Sequence, residues 1–421
     1  MLRLIQRAIQ LEWPVRILKP VLGAFNPFLP EFRMDPYAAY HALRSSEPVY
    51  FSPMLRGWVL TRYADIAAVL QDPRFSTDRQ QANIFRSLGL LRSLQPDFSL
   101  AITRNLLMLD PPDHTRLRRL VSKAFTPRVI EGLRPRIQQI VDQLLDAQRD
   151  TAEIDLIRDL ASPLPVIVIA EMLGVPPADR ARFKAWSDAL VTLLDPLQAE
   201  GGLLPAQSAY VEFCEYFRRI FDERRRQPRD DLVSALVAVE EQGDSLQEAE
   251  LLSLCMLILG AGNETTTNLI GNAVVALLHH PEERRRLQAD PWLIATAVEE
   301  FLRYDSPIQA TDRVATQDCE IAGKPIRKGQ LVGLLLGAAN RDPAQFPEPN
   351  RLDVDRVDNA HLAFSHGTHF CLGASLARAE AQITLSTLLR RFPDFDGERH
   401  PTQWKRSMIV RGLTSLRVRL Q

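Results

Sequence analysis

The sequence predicts a mainly α protein, one large domain with small β-sheets. Three observations predict it. From Pro127 to Ala238 the chain reads as almost wholly helical, broken only near Gly174-Val175-Pro176-Pro177 and Gly201-Gly202. Ser245-Leu246-Gln247-Glu248 has the spacing of a capping box and opens the most apolar helix, which the pattern carries to about His280. At about 1.5 Å per residue that helix spans on the order of 50 Å. Strand-like runs, by contrast, are short and sparse, and no Gly/Ser/Pro linker or composition break divides the 421 residues.

The elements follow in order. Met1 to Trp13 has Leu2, Leu4, Ile5, Ala8, Ile9 and Leu11 interleaved with Arg3, Arg7 and Glu12, an amphipathic pattern without the unbroken apolar core of a signal peptide. Prolines 14, 20, 27 and 30 then punctuate an irregular entry, so residues 1–30 are read as an N-terminal segment and 31–421 as the domain. Asp35 to Arg44 and Tyr63 to Gln71 have helical spacing. Val49-Tyr50-Phe51 and Trp58-Val59-Leu60-Thr61 read as a hairpin around a turn containing Gly57. Ser76 to Ile102 lacks a clean period and carries an apolar cluster at Ile84, Phe85, Leu88, Leu90 and Leu91, the composition of a loop that can cover a pocket. Leu190 to Ala206 reads as the loop between two lid helices. Short strands are expected around Ile321 to Ile326 and 329–335, and a hairpin around Gly412 in the tail.

Composition is that of an ordinary globular chain, 46% hydrophobic and 24% charged, with a net charge of −1 that argues against a general nucleic-acid binder. The four cysteines, 214, 255, 319 and 371, are far apart in sequence, which suits a reducing compartment and excludes a disulfide framework or a CxxC metal site. The longest charge-free apolar run, Leu251 to Asn263, is too short to span a bilayer.

The chemistry concentrates in Phe364-Ser365-His366-Gly367-Thr368-His369-Phe370-Cys371-Leu372-Gly373. A cysteine just before a helix-forming run, here Ala374 to Glu380, meets free backbone N–H groups and the positive end of the helix dipole, which stabilise thiolate. Gly367 and Gly373 keep the loop tight and free of side-chain bulk. A thiolate so placed is a good axial ligand for haem iron. A lone cysteine is more often a small buried hydrophobe; what distinguishes this one is the spacing F-x-x-G-x-H-x-C-x-G. That pattern resembles the haem-binding signature of the cytochrome P450 family, with Ser365 at a position where many members have Gly.

The rest of the chain extends the resemblance. Ala261-Gly262-Asn263-Glu264-Thr265-Thr266-Thr267 puts a glycine, a charge and three threonines in the middle of the most apolar helix, poor choices for a buried helix interior. It resembles the family's A-G-x-[DE]-T-[TS] signature over the haem. Asp110-Pro111-Pro112-Asp113-His114 through Arg118 resembles the D-P-P-x-H-x-x-x-R segment, whose His and Arg, on one helix face at i and i+4, hold a haem propionate. Arg313 and His369 match the family's other propionate partners by position. Glu300 and Arg303 match E-x-x-R, and Arg351 is taken as the second arginine of the buried structural network. The pocket is expected at Phe85, Leu88, Ile308, Gln309, Ile409 and Val410.

The resemblance implies the family's helix-rich triangular prism with small β-sheets. It also implies a haem b cofactor with Cys371 as the iron ligand and Phe364, Gly367, Gly373, Ala261 and Gly262 around it. Glu264 and Thr265 would be the catalytic proton carriers. The implied activity is a monooxygenase that inserts one oxygen of dioxygen into a C–H bond of a lipophilic small molecule. The chain shows no dinucleotide fingerprint, no flavin domain and no cysteines for a cluster. Electrons are therefore expected from NAD(P)H through a separate ferredoxin-type donor, attracted by Arg116, Arg119 and Lys123. A cytoplasmic monomer without a transmembrane segment is expected, as in the soluble bacterial class. The other readings are a peroxide-driven peroxygenase, against which Glu264 and Thr265 speak, and a non-catalytic haem sensor, which would need neither.

Overall fold

Asp35 starts the first well-formed helix. Its carboxylate accepts the Tyr37 N–H at 2.9 Å, and Pro36 supplies the helical φ at the first position of Pro36–Ser46. The computed structural model describes residues 25–27, 29–84, 96–122, 125–191, 204–241, 246–398 and 403–420. Phe85, Leu88, Lys123 and Ser245 lie outside them. The chain groups into two compact units: one from the described parts of 1–90, 275–371 and 399–414, the other from those of 91–274, 372–398 and 415–421.

The first unit holds a five-stranded sheet. Its spatial order is Val49–Ser52, Gly57–Leu60, Leu331–Leu334, Thr311–Ala315, Phe75–Ser76. Neighbours pair antiparallel except Gly57–Leu60 with Leu331–Leu334, which run parallel. The expected hairpin is present, but Gly57 already pairs with Ser52, and Arg56, at φ 47°, turns the chain. Val49, Leu60, Ile66, Val69, Val332 and Leu334 form the core against the sheet. Burying such side chains stabilises by about 1.5–3 kcal/mol each. The expected strands near 321–326 form a separate hairpin, Cys319–Ile321 with Lys324–Ile326. The tail turns back on itself through a Trp404–Leu413 bridge, with Gly412 on an arm of the hairpin and not at its tip.

The second unit is a helical body. Pro127–Asp146 is capped by Thr126, whose hydroxyl accepts the Val129 N–H. It packs on Ala374–Arg391 through Gln138–Thr387 and Arg391–Asp146 contacts. Pro163–Met172, Arg180–Val191, Leu204–Arg226 and Leu232–Glu241 enclose one apolar cluster with Phe183, Phe213, Phe217 and Phe221 at its centre. The long apolar helix runs Glu248–His279, ending before Pro281. The helix begins at Glu248, where Glu250 reaches back to accept the Gln247 N–H at 2.9 Å; Ser245 lies outside the described residues. Among the described residues, no helix is long and apolar enough to cross a membrane.

Candidate functional site

The cysteine loop belongs to the first unit. Ser365 and Gly367 take positive φ, 63° and 69°. A Cβ on Gly367 would stand 3.0 Å from the Leu70 carbonyl oxygen, so a side chain there would strain both conformation and contact. The Cys371 N–H donates to the Phe364 carbonyl at 2.9 Å and the Phe370 N–H to Gly367 at 3.0 Å, which closes the loop. Phe364 is buried and meets the edge of Phe370. Cys371 is half-buried and in no disulfide, and His369 is half-buried two residues before it. The chain enters the helix Ala374–Arg391 three residues after Cys371, with Gly373 at its N-cap. Arg313 is buried on its strand and donates to the Asp312 carbonyl at 2.7 Å. Strand alternation sends the Asp312 carboxylate to the other face, where Arg79 holds it at 2.8 Å.

The acid–threonine pair belongs to the second unit. Around it the middle of the long helix is buried, except for Leu257, Ile258, Ala261, Gly262 and Thr265. These recur at three- and four-residue spacing and so share one face. Thr265 Oγ1 donates to the Ala261 carbonyl at 2.9 Å, the local back-bond that loosens a helix ladder. Glu264 is buried, and Asn268 Nδ2 donates to its Oε1 at 3.3 Å. Asn263 Nδ2 donates to Ser187 Oγ at 2.9 Å, and Thr267 Oγ1 donates to the Ala161 carbonyl at 3.1 Å. Gly262 lets Ile169 approach closely: a Cβ there would be 2.6 Å from its Cδ1. His114 and Arg118 share the helix Asp113–Ser122. Burial first, then the Arg118 charge, lowers the His114 pKa, while Asp110 opposes them.

The buried network in the first unit departs from expectation. Glu300 and Arg303 are both fully buried and joined by two bonds, at 2.7 and 2.8 Å. Arg303 also donates to the carbonyls of Asn340, Pro349 and Arg351. The second arginine is Arg356, not Arg351. Arg356, 11% exposed, donates to both Glu300 oxygens at 3.3 and 3.2 Å. The Arg351 side chain is 56% exposed and pairs with Glu348; only its backbone carbonyl joins the network. Residues 347–359 form no regular element, so spacing alone does not tell which arginine turns inward.

A Val410–Ile308 bridge and a Gln309 N–H to Ile409 carbonyl bond at 2.7 Å bring the two expected pocket segments together. Gln309 itself is buried. Its Nε2 donates to the Tyr37 hydroxyl and the Ser306 carbonyl. Arg116 pairs with Glu250, which offsets part of its charge, and Arg119 is exposed.

A family model for cytochrome P450 matches residues 206–290 and 292–412. The polyketide biosynthesis cytochrome P450 PksS of Bacillus subtilis is 41% identical over 406 residues, covering 94% of this chain and 98% of that one. The chain belongs to the cytochrome P450 family. The cytochrome P450 monooxygenase PikC of Streptomyces venezuelae is 42% identical over 407 residues, 94% of this chain and 93% of that one. Among solved structures, P450BioI in complex with a hexadec-9Z-enoic acid ligated acyl carrier protein matches with a TM-score of 0.86. It is 41% identical, covering 92% of this chain and 99% of the other. As a cytochrome P450 monooxygenase the protein uses haem b, with NAD(P)H acting through redox partners.

The residues present fit that group. The Cys371 thiol forms no disulfide, its loop is kept tight by Gly367, and a Cβ on Gly373 would meet nothing within 4 Å. The half-exposed face of the long helix is aliphatic apart from one hydroxyl, the surface a macrocycle with its substrate requires. Asn268 and Ser187 were missed in the sequence reading. The i, i+4 spacing from Glu264 was the available signal for Asn268; Ser187 carried none.

Proposed function

We propose that this monooxygenase hydroxylates a C–H bond of a lipophilic small molecule, with residues 31–421 acting as one catalytic domain and a ferredoxin-type protein as electron donor. The observation that carries the reading is the central helix: an aliphatic half-exposed face bearing one hydroxyl, Thr265, with the buried acid Glu264 as its sequence neighbour, held by Asn268. Haem bound through the Cys371 thiolate supplies the activation of dioxygen.

The chain's own residues do the rest. His114 and Arg118 in one unit, and Arg313 and His369 in the other, are the proposed propionate partners, by charge-assisted hydrogen bonds. Thr265 Oγ1 holds a proton donor at the reacting side, and Glu264 passes protons to it. Protons are proposed to arrive through these two groups. Ile308, Ile409 and Val410 are proposed to border the substrate. The acyl chain in the P450BioI complex supports a lipophilic substrate class.

Product formation tests the reading. Incubation of the holoenzyme with NAD(P)H, a ferredoxin and its reductase, against a panel of fatty acids, steroids and macrolides, is expected to give hydroxylated product. Turnover with hydrogen peroxide and not with the donor proteins would favour a peroxygenase, and no turnover with either would favour a sensor.

A further inference from the structure

We infer that Arg411 is a positioning residue for substrate selectivity, a buried clamp that sets where Ile409 and Val410 stand against Ile308. The inference rests on the reading that these residues border the substrate.

The segments 305–309 and 409–411 are joined twice. One set of bonds is backbone: Gln309 N–H to the Ile409 carbonyl at 2.7 Å, Arg411 N–H to the Pro307 carbonyl at 2.7 Å, and the Ile308–Val410 bridge between them. The other set is made by side chains. Arg411 Nε donates to Asp305 Oδ1 at 2.7 Å, the same oxygen accepts the Tyr37 hydroxyl at 2.7 Å, and that hydroxyl accepts Gln309 Nε2 at 3.2 Å. The path returns through the Gln309 backbone to Ile409, so the polar groups close a ring around the arm. Ser407 Oγ adds a stop at the turn by accepting the N–H groups of Ile409 and Val410 at 3.1 and 2.7 Å.

Arg411 holds more than the ring. Its Nη1 and Nη2 donate to the carbonyls of Arg33 and Met34, and its guanidinium lies 3.7 Å from the Trp404 ring centroid. A planar fork can meet a carboxylate, two carbonyls and a ring face together, which a lysine ammonium cannot. A buried ion pair is weak evidence for net stability, since desolvation offsets much of the Coulomb gain. Its distinguishing effect is to define one geometry. Here the geometry defined is the height of two aliphatic side chains, and an apolar wall discriminates by where its methyl groups stand.

The test uses the ferric holoenzyme, with imidazole as a small probe and 4-phenylimidazole as a large one, both read by the shift of the haem absorption band. Arg411→Lys and Asp305→Asn are expected to keep haem content and the red-shifted carbonyl band. They should weaken 4-phenylimidazole by about tenfold, the scale of one misplaced methylene, and leave imidazole within about twofold. Val410→Phe is the reference and should move the same ratio. An unchanged ratio in Arg411→Lys and Asp305→Asn, with a changed one in Val410→Phe, overturns the positioning role alone. No change in Val410→Phe shows that the arm does not border the pocket and overturns the inference with that reading. Equal weakening of both probes means general loosening and also overturns it. Should Arg411→Lys fail to hold haem, Asp305→Asn decides, because it preserves side-chain size.

Discussion

Asn268 Nδ2 donates to Glu264 Oε1 at 3.3 Å across one turn of the central helix, and both side chains are buried. The bond orients the acid proposed to carry protons. Asn268→Ala should therefore lower kcat with the substrate KM little changed, by no more than the roughly 10²–10⁴-fold attributed to general acid–base catalysis. Glu264→Gln should slow turnover further. Steady-state rates for both variants check this; an Asn268→Ala enzyme with parental kcat would separate Asn268 from the relay.

Thr265→Ala removes a hydroxyl and little volume. Haem content and substrate affinity should persist and NAD(P)H consumption continue, while hydrogen peroxide rises and hydroxylated product falls. Measuring all three together decides the role of Thr265; product formation as tightly coupled as in the parent would place proton delivery elsewhere.

Cys371→His should retain some haem and lose the red-shifted carbonyl band of the ferrous thiolate complex. A variant that keeps the band would remove Cys371 as the iron ligand.

Arg356 and Arg351 should behave oppositely. Arg356→Ala leaves the fully buried Glu300 without one of its two arginines, and breaking such a pair costs about 3–5 kcal/mol. Arg351→Ala removes an exposed pair with Glu348 and should cost less than about 1 kcal/mol. Denaturant midpoints of the two variants compare them directly.

Glu380 gives stability a pH dependence. Burial pushes its carboxyl up to about 8, so the folded state keeps a proton that the unfolded chain gives up at the ordinary carboxylate pKa. The folded state then binds more protons than the unfolded one between those values, and this group's contribution falls as pH rises toward 8. Below the ordinary carboxylate pKa the contribution is fully present. Glu380→Gln should remove the decline, seen as a flatter Tm between about pH 5 and 8. A parental slope in the variant would mean that Glu380 ionises freely in the fold.

Much of the fold was legible because it is local. The helices read over Asp35 to Arg44 and up to about His280, and the pairing of Val49–Ser52 with Gly57–Leu60, follow from periodicity and alternation. The central helix begins at Glu248, and the Glu250 bond to the Gln247 N–H at its start was not singled out from the sequence. That Gln309 bonds the Tyr37 hydroxyl, 272 positions away, was not legible, because no spacing along the chain links the two.

The sequence by itself determined the chemistry that fits within one loop or one helical turn: the tight loop ending at Cys371, the Glu264–Thr265 pair, His114 and Arg118 on one helix, and Glu300 with Arg303. These relations depend on bonds between near neighbours, where chain geometry leaves few alternatives. Only the tertiary structure decided which of two nearby arginines enters the core, that Ser187 holds Asn263, and that Arg411 anchors the Val410 arm through Asp305. Those choices turn on contacts between segments distant in sequence. A buried polar group must find a partner wherever packing supplies one, and spacing along the chain does not specify where that is.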